Sequence, residues 1–152
     1  VTEAPCEVWF YHLERSSLDQ VLPELLEKTL ARGWRALVRG DDPGQISRLD
    51  EQLWTWRDES FLPHGLAREP FAERQPVLLS EDGANLNAAQ ALFVVSGDPG
   101  PLDGYDRCVM IFDGRSDEAV AEARQLWTRY KRSGHEVTYW RQGESRGWAK
   151  QG

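Results

Sequence analysis

Apolar residues fall into short solid runs separated by longer stretches of helical spacing, and that alternation sets the first expectation of architecture. Val8–Leu13 (V-W-F-Y-H-L) is rich in aromatic and β-branched residues and predicts a buried strand. Leu18, Val21, Leu22, Leu25, Leu26 and Leu30 then recur at helical spacing, with Gly33 where a C-terminal cap belongs. Pro23 lies inside that pattern, so the helix either starts later than Ser17 suggests or bends there. Arg35–Val38 predicts a second strand. In Asp42-Pro43-Gly44-Gln45 an N-cap, a first-turn proline and a capping-box glutamine open a helix with Ile46, Leu49, Leu53 and Trp54 on its apolar side. The stretch 58–75 reads as loop, punctuated by Pro63, Gly65 and Pro70, although Phe61, Leu62, Leu66 and Phe71 within it need a partner. Pro76–Ser80, Ala91–Ser96 and Arg107–Phe112 predict three more strands, a helix follows over 116–133 closed by Gly134, and Glu136–Arg141 adds a last strand. Continuously apolar strands alternating with amphipathic helices indicate an α/β layered sheet, mostly parallel. One domain is expected over 1–142, with 143–152 as a mobile tail.

Composition agrees with this picture and narrows the function. At 152 residues, 40% hydrophobic and 28% charged, the chain suits one soluble globular domain. It shows no secretory signal pattern and no apolar run long enough for a membrane span, so a cytoplasmic location is expected. Cys6 and Cys108, without metal-ligand spacing, read as reduced thiols rather than a disulfide or a zinc site. The net charge of −7 argues against broad nonspecific binding to nucleic acid. From Arg124 to Lys150, however, seven basic residues face only Glu136 and Glu144. That segment is either a solvated helix end or a patch for a compact anionic partner.

Tests for catalysis come out negative in the sequence. The turn after the first strand, His12-Leu13-Glu14-Arg15-Ser16-Ser17, has no glycine to admit a pyrophosphate, and neither GxGxxG nor GxxxxGK[ST] occurs. GxSxG and the paired-histidine metal patterns are missing as well. His12 reads as a packing residue, and His64 as either a binding residue or a loop hydrogen-bonder. Asp41-Asp42 and Glu81-Asp82 sit in turn contexts that capping and solvation explain. No catalytic residue, metal or cofactor is expected.

Aromatic excess carries the functional signal. Seven tryptophans occur in 152 residues, with Trp54, Trp56 and Phe61 clustered at one helix end, as at a protein interface. On the last helix Arg124, Trp127 and Lys131 lie at i, i+3 and i+7, presenting a guanidinium, an apolar slab and an ammonium on one face. Such a face can clasp an acidic peptide end that carries an aromatic side chain; the competing reading buries Trp127 against the sheet.

Several segments together resemble one family. They are Phe10-Tyr11-His12-Leu13, Arg48-Leu49-Asp50-Glu51-Gln52-Leu53-Trp54, Glu59-Ser60-Phe61-Leu62-Pro63-His64, Pro76-Val77-Leu78-Leu79 with the 85–88 turn, and Ala123-Arg124 through Tyr130-Lys131 and Gly134. In order and spacing these are similar to the chi subunit family of bacterial DNA polymerase III, a clamp-loader accessory subunit, in its alphaproteobacterial form. The resemblance implies a three-layer Rossmann-like α/β fold without a nucleotide site, and a non-catalytic role. It implies binding of the C-terminal tail of single-stranded DNA-binding protein by Arg124, Trp127 and Lys131, and contact with DNA mainly through that protein. It further implies an interface for the psi subunit or a helicase at Trp54, Phe61 and His64. Alternatives are an adaptor that recruits a repair helicase, and direct binding of single strands by exposed tryptophans. Trp127 stands where other members carry tyrosine, which changes the shape of the ring pocket.

Overall fold

The computed structural model describes residues 6–14, 16–55, 63–81, 84–100, 102, 104–142 and 148–151. Its elements in chain order are β1 (Glu7–Leu13), α1 (Leu18–Ala31), β2 (Ala36–Arg39), α2 (Pro43–Thr55), β3 (His64–Leu66), β4 (Val77–Ser80), β5 (Ala91–Val94), β6 (Arg107–Asp113), α3 (Asp117–Arg132), β7 (Val137–Gln142) and β8 (Trp148–Gln151). The strands form one sheet ordered β3-β4-β2-β5-β6-β1-β7-β8. Seven of them run parallel and β8 pairs antiparallel with β7.

Alternation along each strand sorts the core into two layers. Tyr11, Leu13, Val38, Leu79, Phe93 and Ile111 meet α1 and α2 through Leu22, Leu26, Ile46, Leu49 and Leu53. Val8, Phe10, Leu37, Leu78, Leu92, Cys108 and Met110 meet α3 through Ala123 and Tyr130. Helices therefore cover both faces, as the apolar strand runs demand, and the fold is the expected mostly parallel α/β sheet.

Local chemistry sets the element ends. Ser17 precedes α1 and its N–H donates to Gln20 Oε1 at 2.9 Å. Pro23 is buried inside an unbroken helix. The N–H it lacks would have paired with Asp19, an exposed first-turn residue whose carbonyl water can reach. Gly33 and Gly134 take φ values of 88° and 89° just past their helices, the left-handed conformation that closes a helix. Asp42 Oδ1 accepts from Gly44 N at 3.0 Å, as an N-cap does, but Gln45 departs from its expected capping role: its Oε1 accepts from Ser96 Oγ at 2.8 Å.

Two strands depart from the sequence reading. β3 lies within the stretch read as loop, forming the sheet edge beside β4 and burying Leu66, while Ala72–Arg74 makes a 3₁₀ turn that buries Ala72. β8 lies within the segment expected to be a tail.

Candidate protein-interaction site

The surface singled out by Arg124, Trp127 and Lys131 is built from α3 outward. Ser116 caps the helix by accepting from Ala119 N at 3.2 Å, Asp117 and Glu118 occupy its first turn, and Arg129, Lys131 and Arg132 its last. Both ends thus complement the helix dipole. Ala123 and Tyr130 are buried against the sheet, and Trp127 is half-buried, its ring centroid 5.9 Å from that of Phe10 and 5.8 Å, edge to face, from that of Tyr139. The burial reading of Trp127 is met in part: one side of the indole packs and the rest stays accessible. Lys131 Nζ sits 5.1 Å from the Trp127 ring centroid, and Arg124 is exposed. Among the described residues neither cation has a carboxylate within ion-pair distance.

Sheet residues complete the site. Register places His12 beside Phe112 of β6 on one side and Arg141 of β7 on the other, with Tyr139 two residues before Arg141 on the same face. A hydrogen bond joins His12 Nδ1 and the Tyr139 hydroxyl. His12 also meets Phe112 edge to face at 5.1 Å. Gly114 makes room for the imidazole, since a Cβ there would lie 2.0 Å from His12 Nε2. Glu14 bonds Arg141 and stands 3.5 Å from His12 Nε2. Burial holds the His12 pKa below its ordinary value; Glu14 pushes it up, and Arg141 and Arg124 push it down. Burial raises the Tyr139 hydroxyl pKa against the pull of the same two arginines. Through the Trp127–Tyr139 ring contact α3 and β7 share one surface with an aromatic floor, and Arg124 and Arg141 both act to lower the pKa of His12 and of Tyr139.

Of these residues the sequence reading named only Arg124, Trp127 and Lys131 for the site. His12 was read as packing, which its burial bears out, but its polar contacts come from register. Tyr139, Arg141 and Glu14 carry no motif; the usable signal was the period-two placement of Tyr139 and Arg141 on one face of the last strand.

Of the second predicted set, only His64 has a described side chain. Trp54 falls in the last turn of α2, and its side chain and Phe61 lie outside the described residues. His64 is in β3 with its side chain fully buried, Nε2 lying 3.1 Å from Asp50 Oδ1 and 3.1 Å from the Asp50 carbonyl oxygen. Its ring thus ties β3 to α2 and takes the hydrogen-bonding role left open by the sequence.

At the carboxyl ends of β1 and β6, where dinucleotide-binding sheets hold a pyrophosphate, a cavity of about 680 Å³ is lined by Asp19, Asp41, Asp113 and Glu122 together with Arg48 and Arg115, the last paired with Asp113. Cys6 and Cys108 are buried free thiols, and burial raises the Cys6 pKa to about 12 and that of Cys108 well above its ordinary value. Among the described residues no group of three metal-ligating side chains converges, and no helix is long and apolar enough to cross a membrane.

The family model described as the DNA polymerase III chi subunit, HolC, matches residues 6–138, a span that includes α3 and the start of β7. The chain belongs to the DNA polymerase III chi subunit family. Among similar proteins, the probable DNA polymerase III subunit chi of Rickettsia prowazekii (strain Madrid E) is 27% identical over 86 residues, 57% of this chain and 52% of that protein. The DNA polymerase III subunit chi of Escherichia coli (strain K12) is 41% identical over 54 residues, 36% of this chain and 37% of that protein. That of Pseudomonas aeruginosa is 42% identical over 50 residues, 33% of this chain and 35% of that protein. The chain spans about half the length, or less, of the curated relatives it matches. By name these chi proteins are subunits of a DNA polymerase.

Proposed function

We propose that this chi-family chain is a non-catalytic accessory subunit of the DNA polymerase III holoenzyme, acting in DNA replication. In this reading it binds the C-terminal tail of single-stranded DNA-binding protein and links that protein to the replicase. The observation that carries the reading is a pair of cations that have no carboxylate partner among the described residues, Arg124 and Lys131, flanking a half-accessible Trp127 on an otherwise acidic protein. An acidic tail ending in an aromatic residue supplies what that surface lacks: anions for the two cations and a ring for the aromatic floor. The acidic body disfavours a long nucleic-acid strand in the same place. Trp54, Phe61 and His64 mark the region for the psi subunit or a helicase; since His64 is buried, the contact surface there would be formed by its neighbours rather than by the imidazole.

Calorimetric titration with the C-terminal peptide of the organism's own single-stranded DNA-binding protein tests this, beside a copy lacking the terminal phenylalanine. Binding of the intact peptide alone is expected, weakened roughly tenfold or more by Arg124→Ala as a charge-assisted bond is lost. Equal affinity of the wild type and Arg124→Ala, both folded, would place the tail elsewhere. Absence of binding to the wild type would reject the reading.

A further inference from the structure

The surface proposed to bind an anion contains an anion of its own. Glu14 follows β1, and its carboxylate bonds Nε of Arg141 and approaches His12 Nε2 at 3.5 Å. Register brings this about: His12 pairs with Arg141 across β1 and β7, so the residue two beyond His12 reaches the same guanidinium. The Arg141 side chain is 56% exposed and that of Glu14 28%, so the pair is open to solvent and exchangeable, not a buried bridge locked by desolvation. Arg124 lies on the helix whose Trp127 ring packs 5.8 Å from that of Tyr139, and among the described residues it has no carboxylate within ion-pair distance. Among the described residues, then, only Arg141 of these two guanidiniums is engaged by an internal carboxylate.

We infer that Glu14 is a built-in competitor for the carboxylate of the bound peptide. It holds Arg141 in the free protein and yields it when a peptide carboxylate reaches that guanidinium. This inference rests on the tail-binding reading above. It follows that Glu14 sets specificity. A ligand must bring a carboxylate able to replace it, and a peptide ending in a neutral amide leaves Glu14 in place and binds only through its ring and its remaining acids. The Glu14 charge also opposes every anionic ligand at the site, so its removal tightens binding of the free-acid peptide most.

The test compares the free-acid and C-terminally amidated forms of the same tail peptide on wild type, Glu14→Gln and Arg141→Gln. Glutamine at 14 keeps size and hydrogen-bonding ability and removes the charge. Expected is about a three- to fivefold tighter fit of the free-acid peptide to Glu14→Gln, the scale of an exposed ion pair, with a smaller gain for the amide, which keeps its remaining acids. Loss of the acid-over-amide preference in Arg141→Gln is expected as well. Because Arg141 is the more exposed partner, that variant gives an independent reading if Glu14→Gln lowers the melting temperature. Unchanged or weaker binding by a folded Glu14→Gln overturns the inference and leaves the tail reading standing, since the wild type still binds. Failure of the wild type to bind either peptide overturns both.

Discussion

A neutral imidazole can meet both polar neighbours of His12, the Tyr139 hydroxyl hydrogen-bonded to Nδ1 and the Glu14 carboxylate 3.5 Å from Nε2. Protonation would place a cation in a buried site beside Arg141 and Arg124, which is why burial first, and those charges next, hold the pKa below 6.5 despite Glu14. The unfolded chain binds this proton more readily than the folded one, so stability rises with pH across the interval between the folded pKa and 6.5. It is lost as pH falls through that interval. Urea unfolding of the wild type and His12→Asn from pH 7.5 down to 5.5 checks this. The wild type should lose more stability on acidification than the variant, and parallel curves would show that His12 does not titrate differently on folding. The apolar surroundings of His12 are legible in the run around it, but its partners are not, since they arrive from positions about 100 and 127 residues away.

At the scale of elements, the amino ends of the sheet are fastened by a side chain that sequence reading passed over. Asn87 sits fully buried between β4 and β5, and its amide donates to the carbonyls of Ala36 at 3.1 Å and Gln75 at 2.9 Å. It thereby joins the start of β2 to the residues leading into β4. Asn87→Ala removes both donors from buried carbonyls and should cost about 2 kcal/mol of unfolding free energy. Urea denaturation measures the loss, and tail-peptide affinity should hold, since Asn87 touches neither α3 nor β7. A loss below about 0.5 kcal/mol would mean that other donors replace the amide. β3 shows why short elements evade pattern reading. With three residues, His64, Gly65 and Leu66, it contains no full alternation, and its strand character comes from pairing with β4 and from the Asp50 contact to His64. Longer elements such as α1 and β6 carry several turns or several alternations of their own and were legible directly.

Over the whole molecule, charge is divided between an acidic body and a basic carboxyl-terminal region, with a net of −7. Attraction of an acidic peptide therefore depends on local cations working against a repulsive background, a balance that salt alters on a length of about 8–10 Å. Peptide affinity should fall as sodium chloride rises from 50 to 300 mM, and the fall should be shallower for Arg124→Ala, which contributes one cation fewer. Calorimetry across that range decides it; affinity independent of salt would assign binding to the aromatic floor alone.

The order of the helices and of every strand but β3 and β8, their burial on both faces, the caps at Ser17, Asp42 and Gly134 and the spacing of Arg124, Trp127 and Lys131 on one helix face follow from local pattern, because each depends on residues within a turn or two of one another. Tertiary structure alone decided the sheet order, the pairing of β8, the burial of His64, and the meeting of His12, Glu14, Tyr139 and Arg141 at the edge of α3. Those features depend on which elements pair and in what register, in most cases between segments far apart in the chain, and a period-two pattern specifies which face a residue takes but not which strand lies beside it.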